Sequence, residues 1–230
     1  MKLKNVLVSA VLVTGMSLAS AATVDYDAFT LDFNDDTVLG SPSFSFSGGA
    51  GLTGFGWSLP SDIQVISTGG SPESATFTLP SFTITAKPGW VLSGPVGSLL
   101  GNVVFNEVGD GASTSMFATA DVSIDGGTAF AAGGAVDRSI TTVTDTVISG
   151  FYRGSAVADY GSFTTLSVTN VSLSLSAEGG IFASIIAQPQ NILEFSLTAA
   201  PVPEPEAWAL LMAGLGLVGY AARRRSSPRR

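Results

Sequence analysis

The chain has 230 residues, 45% of them hydrophobic, with 18 Asp and Glu against 10 Lys and Arg and neither Cys nor His. A formal net charge of −8 argues against nucleic acid as a partner, since a polyanion is repelled by an acidic surface. Without Cys or His there is no disulfide, Ser-His-Asp triad, Cys nucleophile or His/Cys zinc site.

The first element is a secretory signal. Lys2 and Lys4 form a positive start, residues 6–18 an apolar stretch, and Ala19-Ser20-Ala21 a small-residue cleavage site. Residues 1–22 are therefore predicted to be a signal peptide that engages the Sec export machinery, cut after Ala21 or Ala22.

Residues 23–198 are predicted to form one exported domain. From Thr23 to Ala200 three cations (Lys87, Arg138, Arg153) face 16 acids, a net charge of −13. Apolar residues alternate with Ser and Thr at 28–33, 43–47, 75–79 and 81–86, the period of half-buried strands. Further strands are predicted at 103–105, 115–124, 140–148, 163–176, 181–187 and 192–198. The alternation slips at Asn170-Val171, which predicts a bulge. Lys87-Pro-Gly-Trp90 has the residues of a type II turn, and 109–111, 125–127 and Gly133-Gly134 read as further turns. Roughly ten short strands with turns between them predict an all-β fold, an antiparallel sandwich of jelly-roll type.

Three kinds of residue in this body are candidates for chemistry. Asp32, Asn34, Asp35 and Asp36 lie at the end of the first predicted strand, and oxygen ligands so close together suit Ca²⁺. The EF-hand glycine and closing glutamate are missing, and Asn and Asp equally favour a solvated turn; the turn is the simpler reading, and no cofactor is required. Trp57 and Trp90 are candidates to stack on a sugar, Trp90 because it follows a turn, although aromatics on strands more commonly belong to the core. Glu107, Asp110, Asp121, Asp137, Glu178 and Glu194 are numerous enough for a glycosidase, which needs two carboxylates roughly 5–9.5 Å apart. No spacing marks a pair, so no enzyme activity is expected.

Beyond a linker at 199–206 the chain becomes apolar. Residues 207–222 carry no charge and as a helix would measure about 24 Å, at ~1.5 Å per residue. A comfortable span takes roughly 20 residues, so this is a short predicted transmembrane helix. Residues 223–230 contain five arginines, which the positive-inside rule keeps cytoplasmic. Gly214, Gly216 and Gly219 match a dinucleotide-binding spacing, but no strand precedes them and no acid follows, so the match is discarded.

Pro203-Glu204-Pro205, the apolar segment and Arg223-Arg224-Arg225 occur in the order of a known signal. This tail, about an eighth of the chain, resembles the PEP-CTERM sorting signal of Gram-negative bacteria that make exopolysaccharide. The resemblance implies that an exosortase, a membrane protease, recognises Pro203, Glu204 and Pro205 and cuts near them. Transient anchoring in the inner membrane would then give way to release at the cell surface or into the extracellular matrix. Two roles fit this expectation: a structural or adhesive protein of biofilm or exopolysaccharide, and a carbohydrate-binding module assisted by calcium. Extracellular polysaccharide is a partner in both.

Overall fold

The computed structural model describes residues 21–202 and 209–218. Thirteen strands occur among them: β1 (Ala21–Asp25), β2 (Phe29–Asn34), β3 (Phe44–Ser47), β4 (Leu52–Ser58), β5 (Gln64–Thr78), β6 (Phe82–Ala86), β7 (Trp90–Val108), β8 (Ser113–Ile124), β9 (Phe130–Ala135), β10 (Asp137–Val143), β11 (Val147–Asp159), β12 (Thr165–Ile186) and β13 (Ile192–Pro201). Every pairing between them is antiparallel.

Two long strands organise the network by changing partners along their length. β12 has β6 and then β5 on one flank, with β8 and then β7 on the other. β7 has β11 on one flank, with β13 and then β12 on the other. Two branches result, β9-β8-β12-β6-β2-β1 and β10-β11-β7-β13-β4-β3. They join where 104–108 of β7 pair with 182–186 of β12.

The alternating pattern explains how the branches meet. In β12, Leu166, Val168, Val171, Leu173, Leu175 and Ala177 are buried, and the hydroxyl-bearing residues between them face outward. The step from 168 to 171 would turn the strand over, and Asn170 prevents it. Its φ of 52° and the register shift between Thr169 and Ser172 make the expected bulge. Asn tolerates the left-handed region better than most residues, and its Nδ2 donates to Asp121 Oδ2 at 2.7 Å.

Aromatic rings lock the inner faces together. Phe82 of β6 lies 4.7 Å from Phe195 of β13, and Phe55 of β4 lies 5.4 Å from Phe82. Trp57 joins them at 5.9 Å from Phe82 and donates from Nε1 to the Gly40 carbonyl at 2.9 Å. Burial of each large side chain contributes about 1.5–3 kcal/mol, and the paired rings add to that.

Several sequence expectations need correction. The stretch at 140–148 is two strands, β10 and β11, because a turn intervenes in which Thr144 Oγ1 accepts from the Val147 amide at 3.0 Å. The stretches at 163–176 and 181–187 are one strand, β12. Gly133-Gly134 is no turn but part of β9; a Cβ on Gly133 would stand 2.1 Å from the Ala118 carbonyl oxygen, so glycine serves close strand approach. Ala21 and Ala22, placed at the end of the signal peptide, pair with Asn34 and Phe33 in β1. Residues 199–201, placed in the linker, pair with 90–92 as the end of β13.

Candidate functional site: the C-terminal exit

The point where the tail leaves the body is built by two elements. Pro201 ends β13 opposite Trp90, the first residue of β7. The turn before Trp90 closes by a 3.0 Å bond from its amide to the Lys87 carbonyl, with Gly89 at φ 81° as a type II turn requires. That turn is tied to the opposite branch. The Lys87 amide donates to the Ala28 carbonyl at 2.9 Å, and Lys87 Nζ lies 3.2 Å from Asp25. The Val202 amide then donates to the Gly89 carbonyl at 2.8 Å. Pro203 follows immediately and has no amide hydrogen to extend the ladder. Pro203-Glu204-Pro205 therefore follows directly in the sequence on the anchored Val202 amide.

Farther on, residues 209–218 are helical and exposed throughout. This ten-residue stretch is about 15 Å long at ~1.5 Å per residue. Among the described residues no helix is long and apolar enough to cross a membrane. The rest of the predicted span, Pro203, Glu204, Pro205, Arg223, Arg224, Arg225 and the signal residue Ala19 lie outside the described residues.

The remaining candidates are dispersed. Asp32 is exposed on β2, where its Oδ1 accepts from Thr23 Oγ1 at 2.5 Å. Asn34 Oδ1 accepts from the Asp36 amide at 2.9 Å, an Asx turn. No group of three or more carboxylates able to hold a metal occurs among the described residues. Trp57 is 1% exposed and belongs to the aromatic core, which removes it as a sugar platform. Trp90 is half-buried and leans on the core beside the exit. Asp121 is bonded to Asn170, and Glu178 Oε1 accepts from Ser113 at 3.4 Å.

Glu107 is the exception, and its surroundings were not foreseen. It is 3% exposed and forms an ion pair with Arg138. Thr114 Oγ1 donates to its Oε1 at 2.7 Å, and the Tyr152 hydroxyl donates to the Thr114 carbonyl at 2.6 Å. Burial pushes the Tyr152 hydroxyl above the ordinary tyrosine range. Arg138 also lies over the Phe105 ring, 4.4 Å from its centroid. The carboxylate is thus committed to partners that tie β7, β8, β10 and β11 together.

A second carboxylate pins a turn. Asp125 Oδ1 accepts from the amides of Thr164 and Thr165, both at 2.8 Å, and from Thr164 Oγ1 at 2.9 Å. The amide of Thr164, then that of Thr165, holds its pKa below the usual carboxylate value. A lowered folded pKa stabilises the fold above the unfolded value of about 3.9 and ceases to do so as pH falls through the folded pKa. Asp125→Asn is expected to cost under about 1 kcal/mol at pH 7, the exposed site being screened by solvent. Urea unfolding should show this gap closing as the pH falls below about 4.

Residues 201–225 match the model of the PEP-CTERM protein-sorting motif. No curated protein matches the chain. Among solved structures, the infectious bursal disease virus VP2 subviral particle aligns at 14% identity over 87% of this chain and 57% of the viral one, with a TM-score of 0.18. The infectious bursal disease virus Gx strain structure aligns at 15% identity over 88% of this chain and 57% of that chain, with a TM-score of 0.16. The chain spans less than two thirds of either viral chain.

Proposed function

We propose that a chain carrying the PEP-CTERM sorting motif at 201–225 is exported, held in transit by its tail, and cut by an exosortase-type membrane protease. The released body then serves as a structural or adhesive component of the cell surface or of an extracellular polysaccharide matrix. The observation that carries this reading is the exit. Among the described residues Val202 is anchored to Gly89, and the tripeptide follows at once in the sequence. A cut beyond Val202 would leave every described strand intact.

The two facing branches are read here as the layers of a β-sandwich whose outer face suits a hydrated polymer. Hydroxyls pair across its strands, Thr83 with Ser167 at 3.0 Å, Thr76 with Ser174 at 3.0 Å and Thr119 with Ser172 at 2.7 Å. Such a face offers donors and acceptors to neutral sugars without a catalytic constellation. Matrix from cells with and without this chain provides the test. The mature body should stay with the polysaccharide through washing, and the matrix lacking it should be mechanically weaker. A body that washes away, with matrix strength unchanged, would contradict the proposal.

A further inference from the structure

Beside the aromatic cluster, a cavity of about 430 Å³ lies between the branches. It is built in by the sequence. At the aromatic end the inward positions carry Phe and Trp, whereas here the lining is Ala118, Ala120 and Ala132 with Gly154, Ala156 and Ala158, and exposed Ala156 leaves the cavity partly open to solvent. The alternation that makes strands is kept while the volume that would fill the core is removed. Buried Leu166 and Leu173 line it as well, so the hollow is continuous with the main core.

The lining contains no charged residue. Its polar groups are four hydroxyls of Ser and Thr and the Tyr160 hydroxyl. Near one end of the facing strands the Tyr160 ring meets that of Phe130, with centroids 6.0 Å apart. Near the other, the Val136 amide donates to the Met116 carbonyl at 2.9 Å as the chain crosses between branches. Native interiors are close-packed, whereas this apolar cavity keeps part of its lining accessible to solvent. Its size falls within the range of small-molecule sites, roughly 300–1,000 Å³.

We propose that this cavity binds a neutral hydrophobic small molecule, an uncharged aliphatic or aryl chain with at most one hydrogen-bonding head group. The chemistry of the lining selects that class. A carboxylate or ammonium head would be desolvated with no opposite charge to meet it. Lys87 and Arg138 are paired elsewhere, with Asp25 and Glu107, and exposed Arg153 of β11 does not line the cavity. The acidic body further repels anionic amphiphiles. A single hydroxyl or carbonyl head can be satisfied by Tyr160.

The test is titration of the full chain with the neutral fluorophore N-phenyl-1-naphthylamine, using the double variant Ala120→Leu/Ala156→Leu as the matched blank. Saturable fluorescence enhancement should appear in the natural chain and weaken at least tenfold in the filled variant. Dodecanol should displace the probe, and laurate should not. A thermal melt of the variant at or above the natural midpoint shows that it folds; if it does not fold, Ala132→Val replaces it, with a weaker but measurable loss expected. Equal enhancement in natural and filled chains, or laurate competing as well as dodecanol, overturns the proposal. Sedimentation showing a dimer that dissociates in the filled variant also overturns it, because a second copy would then occupy the cavity.

Discussion

Replacing Arg138 with methionine is expected to lower the stability of the body by about 3–5 kcal/mol, the usual cost of breaking a buried ion pair from one side. The Glu107 carboxylate is 3% exposed, and removal of Arg138 leaves it only the Thr114 hydroxyl among its described partners. Loss of the guanidinium also uncovers the Phe105 ring. Urea unfolding with matched slopes measures the effect. Adding Glu107→Leu to Arg138→Met should restore much of the loss, because an apolar pair of similar volume often replaces a buried ion pair at little cost. A loss under about 1 kcal/mol for Arg138→Met would mean that the pair is solvated like a surface bridge.

Exchanging Pro203-Glu204-Pro205 for three alanines is expected to move the chain from the released fraction to the inner membrane. Proline fixes φ, lacks an amide hydrogen and biases the residue before it away from the helical region, so the sequence of this segment favours an extended chain. Alanine lifts both restrictions, so the apolar segment can propagate its helix back toward Val202 and withdraw the cleavage segment from the protease. The fold should be untouched, since the last described contact of the body, Val202 to Gly89, lies before the exchange. Fractionation followed by thermal melting of the retained chain checks both halves. Release of the variant at the natural level would contradict recognition of the tripeptide.

Where the sequence was legible, one face of each strand was enough. The period-two runs at 28–33, 43–47 and 81–86 became β2, β3 and β6 within a residue or two, and the phase slip at Asn170 became a bulge. β4 and β9 were missed because their composition blurs the period, and β1 because its first two residues read as the end of the signal peptide. β4 (Leu-Thr-Gly-Phe-Gly-Trp-Ser) puts glycines where polar residues were expected: a Cβ on Gly54 or Gly56 would stand 2.3–2.4 Å from the Phe46 or Phe44 ring. β9 is nearly all Ala and Gly, which reads as a loop until β8 lies beside it.

The sorting tail was legible because its signal is linear: a tripeptide, an apolar run and arginines in fixed order. The Glu107–Arg138 pair was not, since 31 residues separate the partners and only the β7-β11-β10 order brings them together. The cavity was hidden for a related reason. A run of alanines says nothing about volume until the strand facing it proves to be small-lined too.

Sorting is tested most directly by the intact mass of the protein recovered outside the cell. The account predicts a chain that starts at Ala22 or Thr23 and ends close to the 203–205 tripeptide, without the apolar segment or the arginines. A recovered mass that still includes residues 207–230 would contradict it, because the chain would then leave the cell without being cut at its tail.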